Sequence, residues 1–356
     1  MKKNAEKNMR GAFRRLLTGL LLLLFAFPGL SFAETEATAA ESAVAETVTT
    51  AEGVWYFDAR GFLTGENPGE EYLLEDGENG VWRYASRDLS VKITRFEETV
   101  KKKKTRIRQY CVAEIQASET SPMRTIATEA SGKKVAGYKQ VSPQALVDRH
   151  PCVFAMSDDF YGSRVRNIQA KTSNRQPGII IRNGEVIWQK TKSQTAKTAR
   201  QRPCLDTLAV YEDGSMKTYL SDAMTAEEYL EQGAVHVFAF GPWLISEGKI
   251  NEKEAVEGCG YYEQAEPLTG LGMVEPWHYV AVVLKGRPTD KYTGAHLSWL
   301  ADKLKEYGCV EALNLDGGGT ATMMFNGKVV MCGIGDGHLR SMGSMIVFGL
   351  REEAEE

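Results

Sequence analysis

The segment Asn314–Thr320 combines residue types that could carry out chemistry, in the order Asn-Leu-Asp-Gly-Gly-Gly-Thr. The apolar run Val310–Leu315 predicts a strand, in which Asn314 and Asp316 point to one face of the sheet. Three consecutive glycines lack Cβ atoms, so the backbone can turn sharply and its amides can approach an anion such as phosphate. A nucleotide P-loop is excluded because the Gly-Lys-Ser/Thr ending is missing. The segment therefore predicts a carboxylate beside an anion-binding turn, with a plain structural turn as the alternative.

Two further segments place polar or aromatic residues at the ends of apolar runs. Asp158 and Asp159 follow the run Pro151–Met156, and strand ends are positions where functional sites are often built. A turn made of small polar residues is the alternative interpretation. In Phe238–Ile245, the dipeptide Gly241-Pro242 ends a buried strand, and the surrounding aromatic residues predict either core packing or the wall of a sugar site.

Several other side chains bear on the type of chemistry. Arg287 and Arg340 could hold a phosphate by bidentate hydrogen bonds, with a surface salt bridge as the alternative. The five histidines and six cysteines lack the spacing of a zinc or redox motif, and both disulfides and buried thiols are compatible with the sequence. Asp158, Asp159 and Asp316 are suitable oxygen ligands for Ca²⁺ or Mg²⁺, but no metal-binding loop is recognisable. The sequence therefore requires no cofactor and permits Ca²⁺ or Mg²⁺.

The elements that must position these residues are mainly strands. Alternating apolar residues predict strands at Leu89–Ile93 and Ile107–Ile115. Asn-Gly or Asp-Gly dipeptides between apolar runs predict hairpins. These hairpins are Gly178–Gln189, Thr207–Leu220 and Ala321–Met331.

Three helices are predicted from their start and stop signals. Ser142-Pro143 opens one helix, Thr225–Glu228 has the pattern of a capping box, and Thr293–Tyr307 has an apolar face. Hairpins interspersed with a few packed helices predict an α+β fold with mixed β-sheets. Since no linker composition occurs between residues 80 and 350, we expect a single domain over residues 54–350.

Composition and charge exclude some classes of protein. With 43% hydrophobic and 25% charged residues, the chain is neither mainly disordered nor fibrous. Residues 1–33 carry +5, residues 34–53 carry −5, and the acidic tail, residues 351–356, carries −3. Residues 54–350 are left at −1, which argues against a nucleic-acid partner. The basic run Lys101–Lys104 predicts a solvated hairpin or loop, with a binding patch as the alternative.

The N-terminus predicts export. Six Lys or Arg residues precede the apolar run Leu16–Phe27, and Ser31–Ala33 places small residues at a cleavage position, as in a signal peptide over residues 1–33. An uncleaved anchor is the alternative, although this run is shorter than the ~20 residues that span a bilayer. Residues 34–53 lack periodicity and predict a disordered linker. We therefore expect an extracytoplasmic protein, secreted or envelope-associated, that contacts a membrane only through an uncleaved N-terminal segment.

Taken together, these segments resemble the phosphodiester glycosidase family, which includes N-acetylglucosamine-1-phosphodiester α-N-acetylglucosaminidase and bacterial exopolysaccharide-related proteins. The resemblance extends from about Asn79 to Gly349, and Asn314–Thr320 followed by a short hairpin is its most specific part. The other segments follow in the order and spacing of the family. The segments that carry the resemblance are Ala155–Gly162, Pro177–Gly184, Asp206–Ala209, Phe240–Pro242, Glu275–Pro276, Gly286–Arg287, Gly294–Ala295, Ala312–Thr320 and Arg340–Ser344.

The resemblance implies a hydrolase that cleaves a sugar from a phosphodiester at its anomeric carbon, in a glycan of the cell envelope or the extracellular space. A glycosyl phosphate has a good leaving group, so the site needs phosphate neutralisation and a carboxylate that stabilises positive charge or activates water. We expect Asp316 to be that carboxylate and Asp159 to be its catalytic partner. The residues expected to bind the glycosyl-phosphodiester substrate are Asn314, Gly317, Gly318, Gly319, Thr320, Arg287, Arg340, Asp158 and Trp277.

The sequence departs from the family pattern at two places. Ser157-Asp158 stands where Asn-Gly is common, and Pro276-Trp277-His278 stands where Pro-Arg-Thr is common. The second departure removes a positive group and supplies an aromatic ring that could stack on a sugar. The alternative function is a non-catalytic glycan-binding or envelope-structural protein with the same fold.

Overall fold

The computed structural model describes residues 44–101, 104–128, 140–159, 178–188, 205–221, 223–251, 265–286, 291–334 and 337–351. Helices there are α1 (Pro143–Arg149), α2 (Ala226–Glu231) and α3 (Leu297–Glu306). Strands are β1 (Glu46–Thr50), β2 (Gly53–Phe57), β3 (Tyr72–Asp76), β4 (Val81–Ala85), β5 (Ser90–Lys101), β6 (Thr105–Gln116), β7 (Arg124–Ala127), β8 (Cys152–Ser157), β9 (Ile180–Arg182), β10 (Glu185–Trp188), β11 (Asp206–Tyr211), β12 (Met216–Tyr219), β13 (Ala234–Phe240), β14 (Trp243–Ser246), β15 (Lys249–Ile250), β16 (Leu268–Glu275), β17 (His278–Leu284), β18 (Glu311–Leu315), β19 (Thr322–Phe325), β20 (Lys328–Cys332) and β21 (Ser344–Leu350).

Three large sheets and one two-stranded sheet contain these strands. The largest has nine strands in the order β15-β14-β18-β16-β17-β6-β5-β4-β3. One five-stranded sheet has the order β20-β19-β8-β21-β7, and the other has the order β10-β9-β13-β11-β12. The α+β class is confirmed, with many hairpins and few helices. In the described residues, the strands of these sheets pair antiparallel, both within hairpins such as β5–β6 and between strands distant in sequence such as β8 and β21.

The main hydrophobic core lies where the three large sheets face one another. It contains Ile93 and Leu313 of the nine-stranded sheet, Phe154 and Phe348 of one five-stranded sheet, and Phe238 of the other. Each helix instead packs its apolar side on separate clusters, with α3 against the nine-stranded sheet. The strands β8 and β18 are buried along their whole length, as expected for strands that pack on both faces, although β18 also buries Glu311 and Asn314.

The predicted Asn-Gly turns connect the strands of two hairpins. Asn183 and Gly184 connect β9 to β10 with φ of 49° and 79°, and Asn326 and Gly327 connect β19 to β20 with φ of 45° and 76°. These positive values match the turn that fits the twist of a two-residue hairpin. Lys101 pairs with Thr105, so Lys101 of the basic run is the last residue of β5, and residues 102 and 103 lie outside the described residues.

Two boundaries differ from the sequence prediction. The long helix begins at Leu297 rather than at Thr293, because Thr293 and Ala295 donate their amides to Ile107 and Glu266 and are extended. The linker predicted over residues 34–53 includes β1, which pairs with β2 and places Val48 against a small aromatic cluster. The β-branched run of β1, Thr-Val-Thr-Thr, is the signal that favoured a strand there.

The described residues belong to one compact unit, Glu41–Glu356. None of the helices in these residues has the length and apolar composition needed to cross a membrane. The predicted signal peptide, residues 34–43 of the predicted linker and residues 352–356 of the acidic tail lie outside the described residues.

Candidate active site

The two acidic segments meet at the ends of strands from different sheets. Asp158 and Asp159 follow β8, and Asp316 follows β18. The amide of Asp316 donates to the carbonyl oxygen of Asp158 at 3.2 Å, so the backbones of the two segments are in direct contact. The structure therefore brings together the acidic residues that the sequence predicted as a site.

Arg182, at the end of β9, holds the two acidic residues that follow β8. Its Nη2 atom forms ion pairs with Asp159 Oδ1 and with Asp158 Oδ2, the latter at 3.4 Å. Its Nη1 atom donates to the carbonyl oxygens of Ile181 and Val237, and its guanidinium lies 4.3 Å from the ring centre of Phe238. All three charged side chains are buried, so this ion pair is withdrawn from water.

Sequence reasoning missed Arg182 as a site residue. The available signal was a charged residue at the end of the apolar run Gly178–Arg182, where it interrupts an otherwise buried strand. A buried charge needs a partner of opposite sign, so a fully buried arginine requires buried acids nearby.

Both carboxylate oxygens of Asp159 accept hydrogen bonds from the protein itself. Its Oδ1 atom accepts from Arg182, and its Oδ2 atom accepts from the amide of Ala239 on β13. The side chain has no solvent exposure, whereas Asp316 is 6% exposed. The geometry therefore favours Asp316 as the reacting carboxylate and gives Asp159 a positioning role, which differs from the catalytic partner expected from the sequence.

Asp158, at a position where the sequence departs from the family pattern, has two partners for its carboxylate. Besides Arg182, the hydroxyl of Ser344 at the start of β21 donates to Asp158 Oδ2. The preceding Ser157 accepts the amide of Thr322 at 3.2 Å. Asp158 therefore connects strands of two sheets, and its carboxylate acts as a structural link rather than as a substrate contact.

The three glycines after Asp316 are each required for a different reason. A Cβ atom on Gly317 would lie 2.4 Å from the carbonyl oxygen of Pro267, Gly318 has φ of +61°, and a Cβ atom on Gly319 would lie 2.9 Å from the guanidinium of Arg340. Gly318 already donates its amide to Pro267, and Thr320 donates its amide to Gly317. Two amides of the predicted anion-binding turn are therefore already hydrogen-bonded within the chain.

Arg340 supplies the positive charge beside this glycine turn. Its Nη1 atom donates to the hydroxyl of Thr320 at 3.1 Å, which fixes the guanidinium over Gly319. The arginine is half-buried, while Thr320 is buried. A guanidinium held in this way is suited to binding a phosphate next to Asp316.

Asn314 holds the backbone rather than facing an open site. Its Nδ2 atom donates to the carbonyl oxygen of Gly241 at 2.8 Å, and its carbonyl oxygen accepts the amide of Gly241 at 3.0 Å. Asp206 accepts the amide of Trp243 at 3.2 Å just beyond Pro242. The Gly241-Pro242 segment is therefore fastened beside β18, and Asn314 is a positioning residue in this arrangement.

Trp277 does not join the other predicted site residues. It lies in the turn between β16 and β17, and Gly214 approaches its ring so closely that a Cβ atom there would lie 2.3 Å from it. Leu315 pairs with Thr269 at the opposite end of β16. At about 3.3 Å per residue, the length of β16 puts Trp277 roughly 25 Å from Asp316. Its ring packs against a hairpin turn, which excludes the predicted sugar-stacking role beside Asp316.

The remaining predictions concern metals, Arg287 and thiols. Among the described residues, no group of three or more His, Cys, Asp or Glu side chains could hold a metal ion, and Arg182 occupies two of the three carboxylates suggested for Ca²⁺ or Mg²⁺. Arg287, Phe160–Gly162, Cys204 and Cys259 lie outside the described residues. The other four cysteines are buried, and burial raises the thiol pKa to about 12 for three of them, so these three are poor nucleophiles at neutral pH. These three are Cys111, Cys152 and Cys309.

His236 is a neutral buried residue next to the ion pair. The amide of Asn183 donates to its Nδ1 atom at 3.1 Å, so the proton is on Nε2, which faces the carbonyl oxygen of Met123 at 3.2 Å. Burial lowers the pKa of His236 to about 3, and the nearby Arg182 adds to this effect. A second proton on Nδ1 would oppose the Asn183 amide, so the folded chain resists protonation.

We expect this histidine to make the protein less stable in mild acid. Between pH 6.5, its ordinary pKa, and pH 3, the unfolded chain binds a proton that the folded chain does not. The free energy of unfolding should therefore fall with pH in this window, by up to about 1.4 kcal/mol per pH unit from this group. Urea unfolding of the protein and of His236→Gln at pH 7 and pH 5 would measure it. Equal pH slopes for the two proteins would contradict the expectation, and parallel behaviour between pH 7 and pH 8 serves as the control.

Comparison with known proteins places this site in a family. Residues 150–349, more than half of the chain, match the phosphodiester glycosidase family. The SPbeta prophage-derived uncharacterized protein YomE of Bacillus subtilis (strain 168) is 21% identical over 230 residues, which are 61% of this chain and 33% of that protein. The chain therefore spans about a third of the length of this relative.

Two solved structures are similar to this chain, and the first of them shows the same fold. The catalytic domain of zebrafish N-acetylglucosamine-1-phosphodiester α-N-acetylglucosaminidase, auto-inhibited by its pro-peptide, is 16% identical with a TM-score of 0.54, covering 80% of this chain and 90% of that one. A hypothetical protein from Synechocystis is 12% identical with a TM-score of 0.45, covering 75% of this chain and 63% of that one. Asp316, its glycine turn and the ion pair behind it all fall within the matched residues, and the chain belongs to the phosphodiester glycosidase family.

Proposed function

We propose that this protein is an extracytoplasmic hydrolase that cleaves the bond between the anomeric carbon of a sugar and a phosphodiester in a glycan. The observation that carries the proposal is the position of Arg340 over the glycine turn that directly follows Asp316. A positive group held against the turn and a carboxylate directly before the turn match the two charges that develop when a glycosyl phosphate is cleaved. The family membership supports the same reaction class.

Each group has a separate role in the proposed reaction. Arg340 neutralises the phosphate, which leaves with the bonding electrons, and Thr320 keeps the guanidinium in place. Asp316 stabilises the positive charge on the sugar carbon or activates the attacking water. Asp159, Asp158 and Arg182 hold the backbone to which Asp316 is hydrogen-bonded.

The experiment is an assay of the purified chain with three matched substrates: a glycosyl phosphodiester, the phosphate-free glycoside of the same sugar, and a teichoic-acid-like polymer. The proposal expects turnover of substrates that contain the glycosyl-phosphate bond. Turnover of the phosphate-free glycoside at the same rate would indicate a polysaccharide hydrolase without phosphodiester specificity. Binding of the polymer without turnover would favour a glycan-binding or envelope-structural protein. Fractionation of cells that express the full chain, followed by detection of the protein, tests its extracytoplasmic location.

A further inference from the structure

The hairpin of β5 and β6 extends beyond the sheet to which it belongs. The neighbour β4 pairs with β5 only over Ser90–Thr94, and β17 pairs with β6 only over Tyr110–Gln116. The two strands continue to pair with each other as far as Lys101 and Thr105. We call the part beyond the sheet, Arg95–Lys101 with Thr105–Gln109, the arm. At about 3.3 Å per residue, its length is roughly 20 Å.

The base of the arm is connected to the glycine turn. Lys285, which follows β17, donates its amide to the carbonyl oxygen of Gln109 on the arm at 3.0 Å. The next residue, Gly286, donates its amide to the carbonyl oxygen of Gly333 at 3.0 Å. Gly333 in turn packs so tightly that a Cβ atom on it would lie 2.1 Å from the carbonyl oxygen of Gly318. A short chain of contacts therefore joins the candidate site to the arm.

Two lysines and one tyrosine lie beside this chain of contacts. The Nζ atoms of Lys285 and Lys291 lie 4.9 Å and 5.0 Å from the ring centre of Tyr292, so two ammonium groups flank one ring. Lys291 is hydrogen-bonded through its carbonyl oxygen to Ile107 of the arm. Lys101 and Lys104 are exposed at the end of the arm.

Few acidic side chains lie on the face of the arm that carries Glu97 and Gln109. Glu97 lies opposite Gln109 in the pairing of the two strands and accepts a hydrogen bond from its side-chain amide. The neighbouring Glu98 points to the other face, where Arg108 and Lys303 form ion pairs with it at 2.9 Å and 3.5 Å. Positive charge therefore predominates between the glycine turn and the end of the arm, although residues 54–350 are nearly neutral as a whole.

We propose that this basic strip, composed of Lys285, Lys291, Tyr292, Lys101 and Lys104, is an accessory site for a polymeric substrate with repeated phosphodiester groups. The phosphates beyond the bond being cleaved contact the lysines, and Tyr292 holds the ammonium groups of Lys285 and Lys291 in place through contact with its ring. A single-unit substrate lacks the further phosphates that the strip would bind. This inference rests on the proposed function, because it assumes that cleavage occurs at Asp316.

The test compares a glycosyl-1-phosphate polymer with the corresponding single-unit diester, at low and at high ionic strength. For Lys285→Ser/Lys291→Ser we expect KM for the polymer to rise about tenfold, as when two charge contacts at a surface are lost, with unchanged kcat. The same variant should act normally on the single-unit diester. Lys101→Ser/Lys104→Ser changes two exposed side chains and provides an independent measurement if the first variant folds poorly. The matched control is Lys217→Ser/Lys249→Ser, two exposed lysines elsewhere.

The outcomes separate this inference from the proposed function. If both strip variants hydrolyse the polymer with the KM of the unaltered protein, or lose the polymer and the single-unit diester equally, the strip is not an accessory site. If the unaltered protein hydrolyses neither substrate, the proposed function fails, and direct binding of the polymer to the unaltered and variant proteins still tests the strip. Equal affinity for vesicles of anionic lipid and for the polymer would also overturn the inference.

Discussion

Asp316→Asn should reduce kcat for a glycosyl phosphodiester by a factor between about 10² and 10⁴, the range expected when a group that accepts a proton or stabilises charge in the transition state is lost. The substitution keeps the size of the side chain and leaves the amide that donates to Asp158 unchanged. We therefore expect KM and the urea midpoint to change little. Steady-state kinetics and urea unfolding of the same preparation measure both quantities.

Two comparisons make the Asp316 result specific. Asp302→Asn, at an exposed position on α3, removes the same charge elsewhere and should leave kcat unchanged. Asp159→Asn should lower the urea midpoint as well as activity, because Asp159 is fully buried and hydrogen-bonded through both oxygens. If Asp316→Asn and Asp159→Asn both retained full hydrolysis, the assignment of the carboxylates would be wrong.

Arg182→Met should lower the free energy of unfolding by about 3–5 kcal/mol, because it leaves two buried carboxylates without their positive partner. The same change removes the hydrogen bonds to Ile181 and Val237 and the contact with the Phe238 ring. Urea unfolding at neutral pH measures the loss. Activity should fall together with stability, since Asp158 and Asp159 would no longer be held beside Asp316.

The control for Arg182 is an exposed ion pair. Arg351 forms a 3.3 Å contact with Glu71 and is about half exposed, so Arg351→Met should cost less than about 1 kcal/mol. In Arg182→Met/Asp159→Asn, one unpaired charge is removed, and part of the lost stability should return. A cost for Arg182→Met no larger than that for Arg351→Met would show that the buried pair contributes little to folding.

Local signals predicted much of the fold correctly. Asn183-Gly184 and Asn326-Gly327 form hairpin turns because these residues tolerate positive φ, a property of the dipeptide itself. Ser142 caps α1, and Thr225 forms a capping box with Glu228 at the start of α2, as the spacing indicated. Each of these features depends on neighbours in the sequence, so it can be inferred without knowing the tertiary structure.

The parts that were missed depend on contacts between distant segments. The long helix starts late because residues before Leu297 pair with Ile107 and Glu266, and neither partner is evident from helix periodicity. Trp277 packs on Gly214 of another hairpin, a contact that its own sequence neighbours do not indicate.

For the site, the sequence identified the acidic residues and the glycine turn but not how they are held. Asp316 and the pair Asp158-Asp159 were recognisable because charged residues follow apolar strands. Their division of roles was not, because it follows from Arg182 and Ala239 on other strands. Resemblance to a family supplied the reaction class, and the tertiary contacts distinguish the carboxylate suited to reaction from those that support it.

The position of β21 has a consequence for when the site can form. This strand lies between β8 and β7, and its first residue, Ser344, donates to Asp158. A growing chain that has passed Asp316 but not Ser344 therefore contains both acidic segments without the strand that aligns them. Since pairing between distant segments is slow to form, we expect the site to be assembled late in folding. The candidate site is thus coupled to completion of the domain, and chains that end before Ser344 should have no activity in the proposed reaction.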